Sequence, residues 1–451
     1  MCGSVTNSDL SSGLFQDRKK LAKKGVDGQR EIALIQRSGN LPMTNIGHFG
    51  EPFFVEDPDK LDDPFADLAR YRAECPVYFN PSLDQWFVFR YDDVAALFRD
   101  QRLSSNRLSG FIDQAPAAVR DELRTLAPMF ATWVLMLDGD DHAHMRRLLN
   151  LGFNATAIQA LIPTIRRSAE QLLDEVRDGK LDVAADYAFL LPAYVLSDFL
   201  GVAAADRRRI VDWSVDFVDF FNIFPITIET TQRMIRSARE MAAYTYDLLE
   251  QRRANPRQDF LGVLLNSTDQ TGEPTPEEIA GNAMLLLLAG HIAVRNLVGN
   301  AVYLLLTHPD QRKRLADEPT LLANLVEETL RFEPPVTLIP RIALQDISVG
   351  GVTIPSGAVV QLSIAAANRD PAHFVDPEQF DIGSRPRRTL SFGLGPHGCL
   401  GAHLARLQSE IALDVLLQRY SRIELDPTRP TQWYRPAGNR GPEKLPLLCE
   451  N

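Results

Sequence analysis

The chain has 451 residues, 45% hydrophobic and 24% charged, which fits a globular enzyme and excludes a fibrous or disordered chain. Its 48 basic and 59 acidic residues give a net charge of −11, and without a basic stripe this argues against nucleic-acid binding. The four cysteines, Cys2, Cys75, Cys399 and Cys449, are too scattered for a zinc site or a disulfide framework and fit a reducing cytoplasm.

Residues 1–45 are polar and locally basic (Arg18, Lys19, Lys20, Lys23, Lys24) and lack the apolar core of a signal peptide. They are expected to form a loosely packed extension to a single domain spanning 46–451. No run of about 18 apolar residues is present, so no membrane span is expected. Pro76-Val-Tyr-Phe and Gln85-Trp-Phe-Val-Phe-Arg predict two short strands around a turn, and Asp92 to Asp100 a short helix. From about Ser168 the pattern is mostly helical. Thr275-Pro-Glu-Glu278 is a capping box with proline at the first helical position, and it predicts a helix from Pro276 to about Thr307. The middle of that helix, Ala283 to Ala289, is apolar all round and should cross the core. A second helix, Leu321 to Phe332, is stopped by Pro334 and Pro335, and short β-type runs lie between Arg341 and Gln361. The fold class is thus mainly α with small β-sheets.

Near the C-terminus, Ser391-Phe-Gly-Leu-Gly-Pro-His-Gly-Cys-Leu-Gly401 puts Cys399 in a glycine-rich turn at the mouth of a helix. Leu400, Leu404, Leu407, Ile411 and Val415 recur at helical spacing and predict that helix from Leu400 to Tyr420. A helix N-terminus favours a thiolate, and Gly401 would let a planar group lie flat beside the sulfur. A haem held by a cysteine thiolate needs those features.

The loop resembles the haem-binding loop of cytochrome P-450 enzymes, Phe-Gly-x-Gly-x-His-x-Cys-x-Gly, with Phe392, Gly393, Gly395, His397, Cys399 and Gly401 filling every fixed position. The likeness runs from about residue 50 to the C-terminus and includes Asn368-Arg-Asp-Pro371 and Phe374 to Asp381. It implies the cytochrome P-450 fold, haem b between the long central helix and the cysteine-loop helix, and Cys399 as axial ligand. In Val326 to Val336, Glu328 and Arg331 match the family's structural Glu-x-x-Arg pair, with Arg385 as the third member. His142, Arg146, Arg341 and His397 match positions that hold the haem carboxylates. The usual Ala-Gly-x-(Asp/Glu)-Thr of the long helix reads Ala289, Gly290, His291, Ile292, Ala293 here, followed by Asn296 one turn on.

Neither Ile292 nor Ala293 can relay a proton. His291 and Arg295 are each two positions from Ala293, about 200° around the helix, and should face away. Substrate-assisted proton delivery is the first expectation. Oxidative coupling or ring formation, peroxide-driven or non-oxygenating chemistry, water-only relay and a haem sensor without turnover are the alternatives. By the same resemblance the substrate pocket would draw on the stretch Arg107 to Trp133, on Phe217, Phe220 and Phe221, on Val336 and Leu338, and on Tyr434. Aromatics at helical spacing are more often plain core. A bulky hydrophobic secondary metabolite would fit. The family resemblance implies a soluble, cytoplasmic monooxygenase, expected as a monomer, that takes electrons from a ferredoxin and ferredoxin reductase. Arg146, Arg147, Arg385, Arg387 and Arg388 are candidates for the docking patch.

Overall fold

A 32-residue helix, α7 (Pro276–Thr307), organises the molecule. The rest is assigned from a computed structural model that describes residues 53–222, 226–268, 272–384, 388–434 and 438–450. In the expected capping box Thr275 Oγ1 accepts from Glu278 N at 3.2 Å, and Glu278 Oε2 accepts from Thr275 N at 2.8 Å. At 1.5 Å per residue α7 is roughly 48 Å long and crosses the whole core. It packs against α4 (Leu190–Phe199), α5 (Arg207–Asn222), α6 (Ile228–Ala254), α8 (Leu322–Phe332) and α9 (Ala402–Arg419). Among the described residues α7 is long and apolar enough on average to pass as a membrane span, although His291, Arg295 and Asn296 interrupt its apolar run. Its most apolar stretch is 72% buried inside protein, because it is a core helix.

Helices also fill a stretch for which the sequence pattern gave no expectation. These are α1 (Phe65–Glu74), α2 (Leu108–Gln114) and α3 (Gly139–Gly152), with two short helices, Ala117–Arg124 and Ala127–Ala131, between α2 and α3. The predicted strands appear as β1 (Val77–Asn80) and β2 (Gln85–Val88), paired antiparallel with Val77 opposite Val88. They continue through β3 (Leu103–Ser104), β4 (Leu338–Ala343) and β5 (Val359–Ser363) into a five-stranded sheet of order β1-β2-β5-β4-β3. β2 and β5 run parallel, and β4 is antiparallel to both β5 and β3. A small two-stranded sheet joins β6 (Gln432–Trp433) to β7 (Pro442–Lys444) beside α7.

Helix α8 hangs the cysteine loop from the core. Glu328 and Arg331 are 1% and 4% exposed and pair in a fork, at 2.8 Å and 2.7 Å. A buried pair is stable only when its remaining donors and acceptors are met. Arg331 donates to the Pro377 and Gln379 carbonyls, each at 2.7 Å, and Glu328 Oε1 accepts from Asp381 N at 3.1 Å. Asn368 adds a clamp, its Nδ2 donating to Leu330 O and Ser391 Oγ while its Oδ1 accepts from Leu390 N. The expected third partner, Arg385, lies outside the described residues. Removing one member of a buried pair strands the other, so Glu328→Ala should lower stability by about 3–5 kcal/mol. Denaturant unfolding of the purified protein would measure this.

Candidate active site

The Cys399 loop closes on itself. Cys399 N donates to Phe392 O at 2.8 Å, and Gly398 N to Gly395 O at 3.1 Å. Gly393 and Gly395 take positive φ, +65° and +71°, and a Cβ on Gly395 would come within 2.9 Å of Phe98 O. No larger residue can hold that turn without strain. The expected helix begins two residues later than its pattern suggested, at Ala402, because Leu400 and Gly401 form its entry turn. Leu404, Ile411 and Val415 are buried as predicted.

Cys399 is exposed by surface area yet crowded by protein, so it looks into an internal space rather than bulk solvent. Burial pushes its thiol up. The Gly401 N–H and the Arg146 and Arg406 guanidiniums oppose that shift and favour the thiolate. The position of a Gly401 Cβ has no atom within 4 Å, so open space lies beside the sulfur. On α7, Ala289 is exposed and Ala293 half-buried, although Leu286, Leu287, Ile292 and Val294 around them are buried. The small residues thus open a second face toward an interior space.

Positive charge gathers here. Arg341, on β4, is 4% exposed, and burial lowers its pKa to about 10. Arg107, which enters α2, donates to Pro340 O at 2.9 Å, and Arg341 reaches the same oxygen at 2.9 Å. Burial, and then Arg341 itself, lower Arg107 to about 10, and its Nε has no partner among the described residues. Arg146 of α3 is also lowered by burial. Asp138 is the carboxylate that faces Arg107 and Arg341. Burial pushes Asp138 up, but the Ser104 hydroxyl and the Ser105 N–H hold it below the usual carboxylate range. The His142 and His397 rings lie tilted by 38° with centroids 4.0 Å apart, and His397 Nε2 lies 3.5 Å from Asp138. Burial, His142 and Arg341 lower His397 to about 4, and burial and Arg146 lower His142, so both imidazoles are neutral near pH 7.

The structure brings His142, Arg146, Arg341, His397 and Cys399 into one electrostatic neighbourhood, as expected. Arg107 and Asp138 join them. Arg107 was expected only as the edge of the pocket stretch and Asp138 not at all, because their place depends on the β3–β4 pairing and on a buried contact. His291 and Arg295 face away as the helix angle predicted, bonding Phe189 O at 2.5 Å and Pro442 O at 3.0 Å. The expected pocket residues divide. Phe220 lines an apolar cleft of about 280 Å³ with Leu108, Phe111, Ile112, Phe130 and Trp133. Phe217 is core, packed on Phe130 and Trp133. Leu338 and Tyr434 line a different cleft, and Val336 bridges to Asn439. Phe221 lies in α5, but its side chain, like all of Arg385 and Arg387, is outside the described residues.

A family model for cytochrome P450 matches residues 112–436. Mycinamicin IV hydroxylase/epoxidase of Micromonospora griseorubida is 34% identical, over 90% of this chain and 96% of its own. The 6-deoxyerythronolide B hydroxylase of Saccharopolyspora erythraea is 34% identical, over 86% and 95%. Among solved structures, P450BioI in complex with hexadec-9Z-enoic acid ligated acyl carrier protein superposes with a TM-score of 0.79 and 32% identity, covering 87% of this chain and 99% of that one. CalO2 superposes with a TM-score of 0.80 and 30% identity, over 87% and 97%. The chain belongs to the cytochrome P450 family. It is therefore a haem-dependent monooxygenase whose cofactor is ligated by a cysteine thiolate.

The residues present fit that cofactor. Arg107 and Arg341 outnumber the Asp138 they face, and Arg146 lies beside Cys399, so the site carries the excess of positive charge that a ligand with carboxylates needs. The open flank of Gly401 leaves room for a plane beside the sulfur. Gly401→Leu should fill that room and lower haem content by about tenfold, the equivalent of about 1.4 kcal/mol of overpacking. Haem absorbance per chain checks this, with circular dichroism showing that helix content is kept.

Proposed function

We propose that residues 46–451 form a catalytic unit that oxidises a bulky, largely apolar small molecule, tailoring a secondary metabolite, with 1–45 as an accessory extension. Cys399 is the thiolate ligand. Arg107, Arg146 and Arg341, with His142 and His397, hold the haem carboxylates, while Phe392 and Gly393 shape the loop. The bound haem supplies insertion of one oxygen atom of O2 into the substrate, with reduction of the other to water by two electrons and two protons. The relatives named for mycinamicin IV and 6-deoxyerythronolide B support a large substrate. The cleft beside Phe220 is lined by apolar side chains, which suits an apolar group.

The observation that carries the reading is the open face at Ala289 and Ala293, in a stretch, Ala289-Gly290-His291-Ile292-Ala293, whose acid and alcohol positions are Ile292 and Ala293. Ile292 is 7% exposed and Ala293 carries no hydroxyl, so neither side chain can hand over a proton. The space beside Ala293 admits a hydroxyl of the substrate, or a water held by it, as the last donor. Electrons come from a ferredoxin and its reductase, with Arg147 and Arg388, both exposed, as candidate docking charges. The enzyme works as a cytoplasmic monomer. Ring formation through the same substrate hydroxyl is compatible with this face.

Two measurements test the proposal. Cys399→Ser should abolish the thiolate-type spectrum of the reduced, carbon-monoxide-bound protein, and an unchanged spectrum sinks the ligand assignment. Ala293→Thr should leave native turnover unimproved, while a substrate analogue lacking its hydroxyl should raise peroxide release per NADPH consumed. An analogue that stays tightly coupled points instead to relay by water alone. Peroxide without product under all conditions points to a sensor or a peroxide-driven catalyst.

A further inference from the structure

A polar seam continues the open face of α7. Ala289, Ala293, Asn296 and Asn300 recur at spacings of four, three and four, which puts them on one stripe of the helix. The first two are small and open. The last two are amides with 0% exposure. Among the described residues Asn296 bonds through neither Nδ2 nor Oδ1, and Asn300 Oδ1 is also without a partner. Burying such groups dry costs about 1–3 kcal/mol each. Native proteins meet that demand with ordered water. The helix itself needs no amide there, since Leu297, Val298 and Ala301 fill neighbouring buried positions with apolar groups.

The stripe leads outward. Asn296 lies against Gly441, where an added Cβ would sit 2.6 Å from Asn296 Cγ. Asn300 Nδ2 donates to Glu333 O at 2.8 Å and to Arg440 O at 3.1 Å. Arg440 pairs with Glu333 and donates to Leu61 O at 2.8 Å and Asp62 O at 2.9 Å. A cleft of about 340 Å³ begins at this end, lined by Leu61, Thr337, Tyr434, Asn439 and Arg440. Polar groups therefore succeed one another from the cleft, through Arg440, Asn300 and Asn296, to Ala293.

We propose that Asn296 and Asn300 hold a file of buried water that carries protons from the cleft beside Arg440 to the open face at Ala293. An amide both donates and accepts, so it can orient a water on each side while staying neutral. The two asparagines are positioning residues, and the protons pass along the waters. This rests on the proposed reading of the Ala293 face and adds its source: a substrate hydroxyl there would be reprotonated through the seam. Without substrate the same route feeds the reduction of O2 by NADPH through ferredoxin. Two electrons and two protons give H2O2, and four of each give two H2O.

Two experiments decide it. A high-resolution crystal structure of the holoenzyme should show ordered waters bonded to Asn296 and Asn300; amides bonded to protein alone overturn the proposal. Substrate-free holoenzyme, driven by NADPH with a plant-type ferredoxin and its reductase, should consume oxygen at least about fivefold more slowly as Asn296→Leu or Asn300→Leu. The solvent isotope effect should rise in both. Asn296→Ser, small enough to keep a water, should retain at least half the rate. Leucine variants with wild-type rate and isotope effect overturn the seam. If Asn296→Leu fails to take up haem, Asn300→Leu and Asn296→Ser carry the comparison. An abnormal carbon-monoxide spectrum in the wild type would strike the haem-thiolate reading instead, so the two failures are separable.

Discussion

The pairing of Glu328 with Arg331 is the contact on which the site depends. Two charges taken from water must spend every remaining hydrogen bond inside the protein. Here they spend them on the backbone at Pro377, Gln379 and Asp381. That backbone is the start of the segment that ends at Cys399. Asn368 makes the same kind of connection to Leu330, Leu390 and Ser391. A glycine-rich loop, which would otherwise be pliant, is thereby fixed against α8 at several points. Rigid placement of one sulfur is the result.

The cradle around that sulfur draws its charges from unrelated parts of the fold. Arg146 and His142 come from α3, Arg341 from a strand, Arg107 from the entrance to α2 and His397 from the loop. Because the two imidazoles are held neutral, the arginines supply the positive charge. Guanidinium suits the task, since it stays protonated even where burial lowers its pKa to about 10.

Features with a local cause were legible in the sequence. The capping box at Thr275 and the all-round apolar run set the start and the burial of α7, and the glycines around Cys399 set the loop. The short helices between Arg107 and Trp133 carry few apolar repeats each and gave no clear period. The place of Arg107 in the cradle was invisible because its neighbour Arg341 lies far along the chain and meets it only through strand pairing. Helix spacing alone puts Asn296 on the stripe of Ala293. Its unmet hydrogen bonds and its close approach to Gly441 are tertiary facts that no periodicity reveals. Leu338 and Tyr434 were grouped with Phe220 by analogy, yet the structure puts them on a separate cleft.

The crowding of Arg107 against Arg341 has an outcome beyond catalysis. Two guanidiniums sharing one carbonyl oxygen repel each other, and an anionic ligand seated against them would relieve that repulsion only where the native fold holds the pair together. Binding that favours the native form shifts the unfolding equilibrium by mass action. Filling the site would then tighten the whole fold as well as complete it.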